Sequence, residues 1–284
     1  MFEIKSRTTG DVLATIDADT LVGADLREMY LTDADLSNCD LSLARLDAAE
    51  LEGADLHNAD LHGATFFRTN LSGANLQAAN LSHARFGSSV HANAAFMEGA
   101  NLAGADLSFS DLRNVRLGIS NLSGAKLVGA DFCDASLQES NLSDAIAHDA
   151  LFIRAKMRGT NLSNADFRDC HLNDANLNGA NLSGVNLESQ YEGGFSAINL
   201  AKLQGANLSG AHLRNISAED CDMRHANLSN ADLARAVLGG SVLRSANVEN
   251  ANFAGVELAS VTIDFANFSK ALNADIPSYK KNYR

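Results

Sequence analysis

The chain has 284 residues, 46% of them hydrophobic, with no tryptophan, one proline and a formal net charge of −13. That apolar content is ordinary, and length and composition agree with one elongated domain. No stretch approaches the roughly 18 consecutive apolar residues of a membrane span, and the acidic balance argues against direct contact with nucleic acid.

Residues 1–16, "MFEIKSRTTGDVLATI", alternate as two short strands around the turn "RTTGD". The pattern predicts an N-terminal β-hairpin cap. These residues lack the apolar core of a signal peptide, so a cytoplasmic protein is expected.

Residues 17–269 carry a different signal. In "NLSGANLQAANLSHARF", residues 70–86, Leu or Phe returns every fifth position: Leu71, Leu76, Leu81, Phe86. On an α-helix this period winds around every face, and on one long strand it alternates sides. A short repeat held this long predicts a solenoid, in which each unit buries its apolar side only against its neighbours. The register reads from Leu21 to Phe96, from Leu102 to Leu187 and from Ile198 to Phe268, with a small residue, usually Ala, two positions before each large one. A second period sets the coil. "NLS" recurs at Asn121, Asn141, Asn161 and Asn181, and again at Asn207 and Asn227, each 20 residues apart within its run. Four fives then make one coil. Identical residues stack at strand spacing, where Asn side chains form ladders, and Gly, Asn, Asp and Ser supply the corners.

The tracts "GADLREMYLTDADLSNCDL", "GADLHNADLHGATF" and "NLNGANLSGVNL" resemble the pentapeptide-repeat family. The resemblance implies an all-β fold, a right-handed quadrilateral parallel β-helix. About 12 coils at roughly 4.8 Å each would make a rod near 60 Å long. It says less about function, because the motif residues are the fold.

Charge is uneven along the repeats. Residues 11–60 hold 13 acids and two arginines, a net of −11, so nearly all of the chain's excess sits in the first coils. Asp35 and Asp55 should stack, as should Asp40 and Asp60. Like charges placed this way cost stability, so packing alone does not ask for them. The candidate partner-binding residues are Asp25, Glu28, Asp33, Asp35, Asp40, Asp47, Glu50, Glu52, Asp55 and Asp60.

The register slips by one residue in "GSSVHANAAFMEGAN", near Met97, and again in "ESQYEGGFSAIN", residues 188–197 of the repeat. His91 falls in the central slot at the first break. A bulge on a smooth solenoid offers distinctive shape, and Tyr191 and Phe195 are candidate anchors at the second. Cys39, Cys170 and Cys221 occupy the small inward slot and Cys133 faces out, which predicts reduced packing cysteines and no zinc site. Ala147 and Ala218 leave gaps in the large slot. The tail "KALNADIPSYKKNYR", residues 270–284 with Tyr279 and Tyr283, reads as a capping segment. The other reading of the tail is a weak dimer contact through that end.

No phosphate loop, nucleophile elbow or metal-spaced histidine pair is present. The sequence therefore predicts a non-catalytic scaffold without cofactors that binds an unidentified protein through its outer surface. The alternative comes from the family resemblance: a DNA-mimicking protein acting on type II topoisomerases, DNA gyrase or topoisomerase IV. Gyrase-protecting members tend to carry longer insertions and cysteine-rich motifs, whereas the slips read here as single residues. DNA would also place about 35 charges along 60 Å, so mimicry would be confined to the acidic N-terminal coils.

Overall fold

The computed structural model describes residues 1–191 and 193–280. The chain divides into two compact units, Met1–Ala145 and Ile146–Arg284.

In the first unit, β1 (Phe2–Ser6) and β2 (Val12–Ile16) form an antiparallel hairpin with Phe2 opposite Ile16 and Ile4 opposite Ala14. The other edge of β1 pairs with β3 (Ala34–Asp35), placing Lys5 opposite Asp35. The hairpin thus covers part of the edge of the first coil, and Ile4 is fully buried beneath it.

Beyond the hairpin, parallel bridges join residues 20 apart: Asp25 to Arg45, Tyr30 to Glu50, Asp35 to Asp55, Asp40 to Asp60. The five-residue unit is built as a turn plus one residue. The amide of the small residue donates to the carbonyl of the preceding large one, as in Ala44 to Leu41 (3.0 Å) and Ala54 to Leu51 (3.0 Å). The residue two past the large one sits at positive φ, for example Gly53 at 66° and Asn58 at 55°. This is the arrangement of a type II turn, with the left-handed residue at its third position. The fifth residue is extended and bonds to the coils on either side. Each turn redirects the chain, so every large side chain points inward.

Four columns result in this unit. Face 1 runs Leu21, Leu41, Leu61, Leu81, Leu107, Leu127. Face 2 runs Leu26, Leu46, Phe66, Phe86, Leu112, Phe132. Face 3 runs Leu31, Leu51, Leu71, Met97, Leu117, Leu137. Face 4 runs Leu36, Leu56, Leu76, Leu102, Leu122, Leu142. All are buried. Phe66 and Phe86 stack with ring centroids 4.4 Å apart. Each buried large side chain contributes roughly 1.5–3 kcal/mol before ordering costs.

The small slot is small because it lies at the closing corner of the turn. At several positions where it is Thr or Ser, the hydroxyl ties two coils together. Thr69 donates to the Leu46 carbonyl (2.7 Å), Ser120 to Met97 (2.7 Å), Ser140 to Leu117 (2.6 Å) and Ser241 to Ala218 (2.6 Å). The thiols of Cys170 and Cys221 approach the carbonyls of Ala147 and Ile198 in the same way. Burial pushes the Cys221 thiol up to about 12 and Cys170 well above its ordinary value.

Both breaks are larger than the sequence count suggests. Across the first, bridges join residues 26 apart, Asn70 to Phe96 and Asn75 to Asn101. Across the second, in the other unit, His171 bridges to Ala197 and Asn176 to Lys202. Six residues are inserted each time. Six and one are the same slip in a repeat of five, so counting from sequence cannot separate them. The central column accordingly ends at Phe86 and resumes at Met97. His91 lies in an exposed 3₁₀ segment, His91–Asn93, and Phe96 points outward with the Arg116 guanidinium 4.9 Å from its ring centroid. Gly87 opens the insertion because a Cβ there would lie 2.2 Å from the Arg113 amide nitrogen.

In the second unit the buried columns include Met157, Leu177, Leu203, Met223, Leu243 and, separately, Leu162, Leu182, Leu208, Leu228, Val248. Ala147 and Ala218 are fully buried in the large slot. At the end of this unit Leu272 bridges to Asn252. The Lys280 ammonium donates to the carbonyls of Leu258 (2.8 Å) and Val261, and the Tyr279 hydroxyl donates to that of Ala259 (3.0 Å). Tyr283 lies outside the described residues.

The left-handed corner does not always hold Gly, Asn or Asp. Leu43, Phe109 and Ile119 occupy it at φ of 58–60°. Ile119 is β-branched and 73% exposed, so its backbone strain is not offset by burial. Ile119→Asn is expected to stabilise the fold by about 1 kcal/mol in urea titration, because Asn adopts this conformation readily. Deleting residues 1–16 uncovers β3. The truncated chain is expected to self-associate on size-exclusion chromatography and to melt at lower temperature; an unchanged monomer would contradict the capping role.

Candidate functional site

The acidic residues of the first coils do not share one surface. Asp25 lies on face 2, where Arg27 grips both its oxygens (2.7 and 2.6 Å) and Arg45 approaches to 3.6 Å. The Arg27 hydrogen bond holds the Asp25 carboxyl down at about 2. Asp33, at a left-handed corner, faces Arg7 at 3.6 Å. Asp47 accepts from the Thr65 hydroxyl (3.1 Å) and the Phe67 amide (3.0 Å). Glu50 and Glu52 belong to face 3 and its following corner, and the Asn70 amide donates to both, at 3.1 and 3.5 Å. Glu28 stands exposed at a corner with φ of 60°.

Four acids remain. Asp35 and Asp55 are bridged on face 4, and Asp40 and Asp60 on face 1, the next face along the chain. No lysine or arginine ion pair involves them among the described residues; Asp55 meets only His57, at 2.8 Å. Burial pushes the Asp55 carboxyl up, but the bonds from His57 and Asn75 outweigh it and hold it below the ordinary range. The Ser42 hydrogen bonds lower Asp40 likewise.

The column above them shows what the fold prefers at these positions. On face 4, Asn75 donates to Asp55 (2.9 Å), Asn101 to Asn75 (3.1 Å), Asn121 to Asn101 (3.2 Å) and Asn141 to Asn121 (3.4 Å). Each of these amide oxygens also accepts the backbone N–H two residues on, as Ser123 does to Asn121 (3.2 Å). The second unit repeats the ladder from Asn247 back to Asn181 and Asn161. An ionised carboxylate accepts in this ladder but cannot donate. Asp55 and Asp60 therefore leave Asp35 and Asp40 facing like charge where an Asn would supply a hydrogen bond.

The second insertion forms a groove in the second unit. Tyr191 and Phe195 are 58% and 51% exposed and line a cavity of about 590 Å³ with Arg235, Val237, Asn215 and Glu219. Sequence pattern pointed to the two aromatics but not to the group that fixes them. Asp169, only 8% exposed, accepts from the Ser189 hydroxyl and from the Gln190 amide (3.2 Å). It occupies an ordinary corner, φ 58°, and nothing in its spacing sets it apart from other corner aspartates. Among the described residues no group of His, Cys, Asp and Glu is placed to hold a metal ion, and no helix is long and apolar enough to cross a membrane.

The family model for pentapeptide repeats matches residues 20–47, 49–87, 79–118, 120–152, 150–188, 201–240 and 236–272. Among solved structures, HetL, a pentapeptide repeat protein involved in heterocyst differentiation regulation from the cyanobacterium Nostoc sp. strain PCC 7120, is 32% identical. The match covers 73% of this chain and 88% of HetL, with a TM-score of 0.35. Rfr23, a pentapeptide repeat protein from the cyanobacterium Cyanothece 51142, is 29% identical over 49% of this chain and 87% of its own, with a TM-score of 0.21. QnrB1, a plasmid-mediated fluoroquinolone resistance protein, is 20% identical over 77% and 88%, with a TM-score of 0.28. No curated protein matches the sequence.

Asp169→Ala removes the buried anchor of the second insertion. Chymotrypsin is expected to cut after Tyr191 or Phe195 several-fold faster in this variant, while the melting temperature falls little, because the large-slot column is untouched.

Proposed function

The chain belongs to the pentapeptide-repeat family, and we propose that it is a non-catalytic cytoplasmic scaffold whose acidic N-terminal coils dock a basic surface of a partner protein. The docking residues are Asp35, Asp40, Asp55 and Asp60, with Glu28 and Glu52 at the margin. The observation that carries this reading is the pair of carboxylate stacks. On the face of Asp35 and Asp55 the repeat carries Asn from Asn75 to Asn141 and gains a ladder bond from each, the second unit has a like ladder, and on the face of Asp40 and Asp60 Asn80 makes the same bond to Asp60. Opposing carboxylates cost up to about 1 kcal/mol instead. Charge that works against the fold is charge retained for another purpose. Asp25, Asp33 and Asp47 are already engaged within the chain and drop out of the docking set. Tyr191 and Phe195 form a second contact region on the other unit, held in place by Asp169. The hairpin of residues 1–16 and the segment 270–280 serve as end caps in this scheme.

The type II topoisomerase reading shares the acidic stacks as its support. The likeness to QnrB1 adds nothing to it, because at 20% identity it speaks to fold alone.

Two variants separate docking from packing. The double change Asp55→Asn with Asp60→Asn is expected to raise thermal stability, since each new amide donates to the Asp one coil below. It should also weaken partner capture from a native lysate. Reversing Asp35, Asp40, Asp55 and Asp60 to Lys should abolish capture, and added salt should weaken the wild type in parallel. Capture that is identical for all three proteins and indifferent to salt would show the stacks to be a solvated face. A supercoiling assay decides the partner class: inhibition or protection of gyrase by the wild type and not by the Lys variant would assign the topoisomerase reading.

A further inference from the structure

Most arginines of the first unit have an acid at hand. Arg7 faces Asp33, Arg27 and Arg45 face Asp25, and Arg113 grips Asp111 at 2.6 Å. The exceptions are Arg68, Arg85 and Arg116, which have no carboxylate within 4.0 Å among the described residues, although the chain as a whole carries −13. All three are exposed, and all three surround the first insertion.

They flank the corner between faces 2 and 3. Arg85 extends over the Phe67 ring, with its guanidinium carbon 5.0 Å from the centroid. Arg116 lies over Phe96 at 4.9 Å, and Phe96 bridges to Asn70. Arg68 lines a cleft of about 440 Å³ with Phe67, Asp47, Ser88 and Asn93. The inserted segment that walls this cleft is pinned. The Arg68 amide donates to the Asn93 carbonyl (3.0 Å), the Asn114 side chain to the Ser88 carbonyl (2.8 Å) and the Ala95 amide to the Phe86 carbonyl (2.9 Å). The cleft is therefore pre-formed, and binding would not have to order the loop first.

A guanidinium over a half-buried ring at the surface gains roughly 0.5–1 kcal/mol and keeps its forked donors free. Those forks match carboxylates in bidentate geometry. Phe67 supplies an apolar surface between them. Asp47 shares the cleft and keeps its negative charge, with its oxygens engaged by the Thr65 hydroxyl and the Phe67 amide, so the anion is held by the arginines at the rim of the cleft. A long polyanion is a poor fit: Arg85 is followed one coil on by Asp111, and Asn70 is preceded by Glu50. The patch of positive charge is only about two coils deep.

We propose that this corner binds a short acidic peptide segment of a partner protein, its carboxylates on Arg68, Arg85 and Arg116 and an apolar side chain against Phe67. The site is separate from the acidic stacks and stands or falls without them. The probe is a fluorescein-labelled Glu-Glu-Phe-Glu-Glu peptide, capped at both ends and followed by fluorescence anisotropy with the full chain. Saturable binding is expected, weakened about tenfold or more by the triple change Arg68→Gln, Arg85→Gln, Arg116→Gln and by high salt. The double variant Asp55→Asn with Asp60→Asn should bind it as the wild type does. The all-glutamine version of the peptide should not bind. If the triple variant melts early, the single variants each take its place, and each must weaken binding. Absence of saturable binding, equal affinity for the glutamine peptide, or tighter binding of an oligothymidylate than of the acidic peptide would overturn the proposal.

Discussion

The structure depends on one backbone requirement, a left-handed residue at the third position of every turn. The four-residue turn and the extended residue that follows it make a repeat of five, and four such turns return the chain to its starting face. Each turn places its first side chain inward and favours a small side chain at its last position, with Val115, Val185 and Ile216 among the larger exceptions. Leu and Ala are therefore consequences of the corner geometry, as is the recurrence of Gly, Asn and Asp two positions after Leu. Where a Leu, Phe or Ile takes the left-handed position, its side chain stands out in solvent.

Stacking at strand spacing turns local composition into columns. A column of Asn satisfies itself, because each side chain both donates and accepts. A column of Asp does not. The same rule makes Thr69, Ser120, Ser140, Ser241, Cys170 and Cys221 acceptable in the small slot, where their polar atom reaches the carbonyl of the coil below. It also makes the acidic first coils conspicuous, since Asp55 and Asp60 forgo a ladder bond that Asn75 and Asn80 make. Their charge is a departure from the packing rule.

The two insertions give an otherwise repetitive surface its distinct sites. One gathers unpaired arginines over aromatic rings, the other presents Tyr191 and Phe195 around a groove fastened by Asp169. Gly87 admits one insertion and Gly194 the other, each at a place where a Cβ would meet neighbouring atoms at 2.2–2.3 Å.

Sequence alone determined the repeat of five, the inward slots, the coil of 20 and the stacking of Asp35 on Asp55 and Asp40 on Asp60, because each follows from periodicity along the chain. It did not reveal the length of the insertions, since one residue and six are indistinguishable modulo five, and so it misplaced His91 and Phe96 in the core. It grouped ten acids by their proximity in sequence. Their faces follow from the coil of 20, but only the tertiary structure separated the engaged acids from the free ones, because a carboxylate's freedom depends on which arginine, hydroxyl or amide the neighbouring coil brings to it. The pairing of Asp25 with Arg45, the anchoring by Asp169 and the seating of Arg85 over Phe67 and of Arg116 over Phe96 all join residues from different coils, and such contacts exist only once the coils are stacked.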